Sequence, residues 1–193
     1  MYNVLNKNDI RYQTTHATIR KVYKALLSEK DYLSISVTEL CKLANINRGT
    51  FYIHYKDSIS VMNELEDEVY LQMVQFIDDS IFQKNKYLEL PYSFSDYIKT
   101  EDGDFFDKVL NGVYGSGKLQ IRICDYISSM ILQSFSNVGH LSQRELELLS
   151  AFLSNASIGI LREWHRSNYI NIEKEISFTN ELFYSVLKTY NLK

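Results

Sequence analysis

From Thr15 onward, Ile19, Val22, Tyr23, Leu26 and Leu27 recur at three- and four-residue steps, the period of an amphipathic helix that ends near Lys30. After DYLSIS, the run Ser36-Val-Thr-Glu39 has the S-x-x-E form of a capping box, so a second helix is predicted from Val37 with Leu40, Cys41, Leu43 and Ala44 inward. Asn45-Ile46-Asn47 reads as a turn in which Asn47 caps a third helix from Arg48 to about Tyr55. Two short helices joined by about three residues form a helix-turn-helix. Asp57 caps a fourth, long helix, in which Ile59, Met62, Leu65, Val69, Met73, Phe76 and Ile77 keep the helical period. Five further segments are predicted at Tyr92–Thr100, Phe105–Asn111, Lys118–Phe135, Gln143–Ser167 and Glu173–Tyr190. The loops between them are marked by Glu101-Asp-Gly103, 112–117, Asn137–His140 and Asn168–Asn171.

The prediction is therefore an all-α chain of about nine helices: a helix-turn-helix domain over 1–57 and a helical regulatory and dimerisation domain over 58–193. Composition agrees, because 193 residues with 45% hydrophobic content can bury a core, and seven Gly with a single Pro leave few helix breakers. No apolar run approaches the roughly 20 residues that a bilayer span needs, and MYNVLNKNDIRYQ has no basic start leading into an apolar stretch. A cytoplasmic protein without a membrane partner is expected. Cys41 and Cys124 each sit in an apolar context and read as buried thiols.

The net charge of −3 conceals an asymmetry. Residues 1–56 carry nine Lys/Arg against four Asp/Glu, a net of +5, and the remainder carries −8. A basic module on an acidic body is expected where only the module meets a polyanion. Within it, NINRGTFYIHYKD shows how such a helix would divide its faces. Phe51 and Tyr55, four apart, share the inward face, which leaves Arg48, Thr50, Tyr52 and His54 for the remaining surface. Arginine can bond guanine edges bidentately, the threonine methyl can meet thymine, and Tyr and His can donate to phosphates. Gly49 costs up to about 1 kcal/mol relative to Ala. It either lets the helix approach DNA closely or lets it pack tightly on the first helix, and the sequence leaves both open.

The stretch from Ser36 through Asp57, SVTELCKLANINRGTFYIHYKD, preceded by one amphipathic helix and followed by a long one, resembles the DNA-binding domain of the TetR family of bacterial transcriptional regulators. The resemblance implies that Ser36 and Thr38 contact backbone phosphates, that Arg48, Gly49 and Thr50 face base edges, and that Tyr52, His54 and Lys56 bind phosphates. With the cap Asn47 these make up the expected DNA-facing set. Ser58 departs from the family, where lysine is common. The resemblance also implies a homodimer, built on the last two helices, around an effector pocket. On that basis Leu149, Phe152, Ala156, Gly159, Ile160, Phe183 and Leu187 are expected at the dimer interface. Tyr92, Tyr97, Phe105, Phe106, Tyr126 and Trp164 are expected to line the pocket. ASIGILREWHRSNY is similar to a subgroup of the family that includes regulators of dihydroxyacetone kinase operons, some of which act with a protein partner.

No cofactor or metal is expected. His16, His54, His140 and His165 are scattered, with no HExxH, CxxC or nucleophile elbow, and Gly115-Ser-Gly-Lys118 lacks the leading glycine and preceding strand of a phosphate loop. The expected function is thus not enzymatic. It is a homodimeric regulator of a double-stranded DNA operator, controlled by a small-molecule effector or partner protein; the alternative is a helical protein–protein adapter with little DNA binding of its own.

Overall fold

The computed structural model describes residues 9–81, 90–111, 116–136 and 140–192. Among these there are nine α-helices and no strand: α1 (Ile10–Leu27), α2 (Val37–Leu43), α3 (Arg48–His54), α4 (Ser58–Ile81), α5 (Leu90–Ile98), α6 (Glu101–Asn111), α7 (Gly117–Phe135), α8 (Gln143–Arg166) and α9 (Ile172–Thr189), with a 3-10 turn at Tyr32–Ser34. The all-α prediction and its approximate helix count hold. The chain forms two compact units that divide between Glu68 and Val69, within α4. The early part of α4 therefore belongs with the helix-turn-helix and supplies buried Val61, Met62 and Leu65 to that unit.

In the first unit, Ile19 and Tyr23 of α1, Leu40 of α2 and Phe51 of α3 are wholly buried. A polar seam runs beside this core. His16 Nε2 lies 2.9 Å from the Tyr55 hydroxyl and 3.2 Å from the Glu64 carboxylate, and Arg20 pairs with Glu64 and Glu68. The seam thereby ties α1 to the end of α3 and to α4. His54 leans on it from α3, its ring 4.2 Å from that of Tyr12 and 5.8 Å from that of His16. Burial pushes the His54 pKa below the ordinary histidine value, and the neighbouring His16 adds to the effect.

Asparagine serves this glycine-poor chain where helices must stop. At the end of α2, Asn45 takes a positive φ of 52°, and the amides of Asn45 and Ile46 return to Lys42 O and Cys41 O, the paired bonds of a Schellman turn. The same pattern ends α8 at Asn168 and α9 at Asn191. Each satisfies carbonyls that the helix end would otherwise leave open.

In the second unit, α7 and α8 form the most extensive helix pair. Small side chains sit between them: Ser150 and Ser154 are buried, with Ser150 Oγ 3.1 Å from Ser128 Oγ. Asp107 of α6 is also buried and is held by His165 Nδ1 of α8 at 2.7 Å and by Asn111 Nδ2 at 3.0 Å, so its charge does not stand alone. One expected loop is absent. Glu101-Asp-Gly103 forms the first turn of α6, whose cap is Thr100: its hydroxyl accepts from Gly103 N at 3.0 Å. The corner from α5 into α6 is so tight that a Cβ on Gly103 would lie 1.8 Å from the Tyr97 carbonyl oxygen. Here glycine permits a close backbone approach and does not mark a loop.

Two predictions follow from this packing. Gly103→Ala forces backbone against backbone and should destabilise the protein by about 3 kcal/mol or more in urea unfolding, whereas Gly117→Ala, with open space around it, should stay within about 0.5 kcal/mol. For His54, the unfolded chain takes up a proton at higher pH than the folded one does. Its contribution to stability is full above about pH 6.5 and is lost as pH falls toward the depressed folded value. Thermal unfolding between about pH 7.5 and about pH 5.5 should therefore show a larger loss for the native chain than for His54→Asn.

Candidate nucleic-acid interface and effector cavity

Both helices of the helix-turn-helix begin with a side-chain cap. Ser36 Oγ accepts from Glu39 N at 3.2 Å, and Asn47 Oδ1 accepts from Thr50 N at 2.7 Å and from the Thr50 hydroxyl at 3.1 Å. The capping box expected at Ser36–Glu39 is only half formed, because both Glu39 carboxylate oxygens lie 2.5 Å from Lys30 Nζ. A lysine in reach offers the carboxylate a stronger, charge-assisted partner than the Ser36 amide. The complete box is at Ser142 and Glu145, at the start of α8.

Helical geometry sorts α3 largely as its sequence suggests. Phe51 and Tyr55 are buried, while Asn47, Arg48, Gly49 and Tyr52 are exposed and Thr50 is half-buried. Arg48 Nη2 donates to the Tyr52 hydroxyl at 3.1 Å, and the guanidinium carbon sits 5.9 Å from the centre of that ring. The pair forms a projecting, partly preorganised unit one helical turn long. Ser36, Thr38 and Lys56 are also exposed. Three details add to the sequence reading. His54 is half-buried against Tyr12, and its Nδ1 is sealed from solvent without a partner, so its ring belongs to the seam. Gly49 does not pack on α1: a Cβ there would meet only Asn47 Oδ1, at 3.2 Å, which leaves the helix surface at this position open. Ile53, 47% exposed, shares a face with Gly49, a placement its four-residue offset could have signalled.

The second unit has a partly open cavity of about 100 Å³ between α7, α8 and α9, with Met73 and Ile77 of α4 and Phe94 of α5 also lining it. Of the aromatic residues expected there, Trp164 lines it. Tyr97, Phe105 and Phe106 do not. They are buried around α5 and α6, where the rings of Tyr97 and Phe106 lie 5.6 Å apart and that of Phe94 lies 5.7 Å from Phe106. Tyr126 is turned away as well, and its hydroxyl donates to Asp78 of α4. These rings fill the core between neighbouring helices, and the aromatic residues that do line the cavity, besides Trp164, are Phe94, Phe135 and Phe183. The side chain of Tyr92 lies outside the described residues.

The residues expected at a subunit interface also separate. Leu149 and Leu187 are buried with Leu153 and Leu192, and Ile160, Phe183 and Leu187 line the cavity, so these four face the unit's own interior. Ala156 is half-buried. Phe152 is 59% exposed, and Gly159 is exposed with nothing near it. The sequence reading omitted Leu148, Phe178 and Leu182, which are 55%, 63% and 48% exposed. Leu148 and Phe152 follow each other at a four-residue step on α8, as Phe178 and Leu182 do on α9, so each helix carries an uncovered apolar pair.

Among the described residues no helix is long and apolar enough to cross a membrane, and no group of His, Cys, Asp and Glu could hold a metal ion. No protein-family model and no curated protein matches the sequence. Solved structures do match in fold. A TetR-family transcriptional regulator from Syntrophomonas wolfei superposes with a TM-score of 0.67 at 15% identity, over 90% of this chain and 95% of that one. The fatty acid degradation regulator FadR from Bacillus halodurans gives 0.65 at 14% identity, over 87% and 93%. The dihydroxyacetone kinase operon activator DhaS gives 0.60 at 17% identity, over 91% and 97%. With helix-turn-helix and helical body both covered by these alignments, the chain has the fold of the TetR-family transcriptional regulators.

Proposed function

We propose that the protein is a homodimeric, DNA-binding transcriptional regulator whose operator affinity responds to a ligand held in its second unit. The observation that carries this reading is the exposed Arg48–Tyr52 pair on a helix seated by Phe51 and Tyr55, within a segment of net positive charge. Arg48, Thr50 and the open surface at Gly49 meet base edges, with Ile53 beside them for a thymine methyl. Ser36, Thr38, Tyr52 and Lys56 hold phosphates, and Asn47 acts through its cap, fixing the first turn of α3. His54 orients α3 from behind.

Dimerisation is supported by the uncovered apolar pairs on α8 and α9, since a second copy would bury Leu148, Phe152, Phe178 and Leu182 against the same set. Two-fold symmetry implies a near-palindromic operator. Coupling between cavity and DNA would run through α4, a single helix that begins in the first unit and supplies Met73 and Ile77 to the cavity.

The decisive experiment selects bound fragments from random duplexes with purified protein and then titrates the winning site. Arg48→Ala with Tyr52→Ala should weaken binding to that site by about 10- to 100-fold while the fold is retained. Native binding should fall steeply with added salt. An unchanged affinity in the double variant, or a native protein that binds no duplex at low salt, rejects the reading and favours the adapter. Phe152→Glu should convert the dimer to a monomer in light scattering and weaken operator binding with it. A native protein that is monomeric at the concentrations where it binds DNA overturns the dimer.

A further inference from the structure

We propose that the operator is distinguished by pyrimidine C5-methyl groups read at Ile53, so that the protein separates thymine from uracil and accepts 5-methylcytosine in thymine's place. The inference rests on the DNA-binding reading and names the chemical group that α3 recognises. Successive side chains on α3 turn by roughly 100°, so the mean direction of buried Phe51 and Tyr55 lies roughly 180° from that of Ile53. Ile53 therefore stands at the crest of the helix, where 47% of its surface is open. Gly49, within about 40° of it, puts no side chain between Ile53 and an approaching surface, and a Cβ there would meet only Asn47 Oδ1.

The polar groups around the crest narrow what it can read. The sequence of α3, RGTFYIH, carries no amide or carboxylate side chain, so it has neither the usual partner of adenine nor that of cytosine. The cap residue Asn47 does not fill the gap. Its Oδ1 already accepts from Thr50 N at 2.7 Å and from the Thr50 hydroxyl at 3.1 Å, which uses both lone pairs and leaves no acceptor for a bidentate pair with adenine. The Thr50 hydroxyl proton is spent in the same contact. Arg48 remains for guanine, and the crest itself offers a branched hydrocarbon, whose match on a base edge in the major groove is the thymine methyl. Charge selects a duplex over an apolar protein surface as the occupant, because residues 1–56 carry nine Lys/Arg against four Asp/Glu, and Lys42, Arg48 and Lys56 are exposed.

The test titrates full-length protein against the site selected from random duplexes, with deoxyuridine placed at each thymine position in turn, symmetrically in both half-sites. Each exchange removes one methyl per half-site and keeps every hydrogen-bonding group of the base. At one or two positions uracil should weaken native binding by about tenfold. Ile53→Ala should weaken binding to the thymine site to a similar degree and bring thymine and uracil there to within about twofold, whereas Ile53→Val should keep the preference. With cytosine at the same positions, methylation at C5 should strengthen native binding by about tenfold and leave Ile53→Ala unaffected. The assignment is overturned if the selected half-sites hold no thymine, if uracil replaces every thymine without loss, if 5-methylcytosine binds no better than cytosine, or if Ile53→Ala keeps the full preference for the methyl. In each of these cases the native protein still binds its site, so the DNA-binding reading stands. A native protein that binds no duplex at low salt fails that reading itself and hands Ile53 to a protein partner.

Discussion

The seating of α3 rests on two aromatic rings. Phe51 is buried completely and Tyr55, four residues on, is buried beside it, so the helix has one way to lie on its unit. Fully burying a phenylalanine side chain contributes up to about 3 kcal/mol, a large fraction of the stability of a small unit. The Tyr55 hydroxyl adds direction, since it meets His16 and, through it, Glu64. Rotating α3 would expose Phe51 and strip Tyr55 of its partner. What projects outward, Arg48 hydrogen-bonded to Tyr52 and a glycine with open space, is what remains once those two rings are placed.

Backbone chemistry sets where the helices stop. Among the described residues, asparagine takes four of the five left-handed positions, after α2, α8 and α9 and at the start of α9. Asparagine tolerates that conformation because its short polar side chain can bond locally. In the helix-turn-helix, the Asn45 turn and the Asn47 cap lie two residues apart, so one asparagine ends α2 and the other begins α3. The angle at which α3 leaves the turn depends on both. At the α5–α6 corner, by contrast, only glycine serves, because the approach there is of backbone to backbone.

The second unit spends its aromatic side chains on packing. Phe94, Tyr97 and Phe106 interlock, and Tyr126 is drawn to Asp78. The cavity is lined by isoleucine, leucine and methionine together with Phe94, Phe135, Trp164 and Phe183, and by a few hydroxyls whose protons return to their own helices. An interior lined mostly by apolar side chains is low in dielectric. The outer faces of α8 and α9 show the opposite condition, apolar rings and branches with no cover from their own chain.

Much of this is visible in local sequence. Helical period and caps placed the nine helices, and the four-residue offset of Phe51 and Tyr55 separated the inner from the outer face of α3, because both depend on spacing along one element. Spacing along one element could not tell which helix another helix would meet. That is why Glu39 went to Lys30, His54 to Tyr12, and Leu149 and Leu187 to an internal cluster. It is also why Gly103 read as a loop, when the reason for the glycine is a carbonyl six residues earlier, across a corner. The sequence by itself determined an all-helical chain with a basic N-terminal segment and the exposed side chains of α3. The tertiary structure alone decided which apolar residues line the cavity and which stay uncovered, since burial is a property of neighbours that only the folded chain brings together.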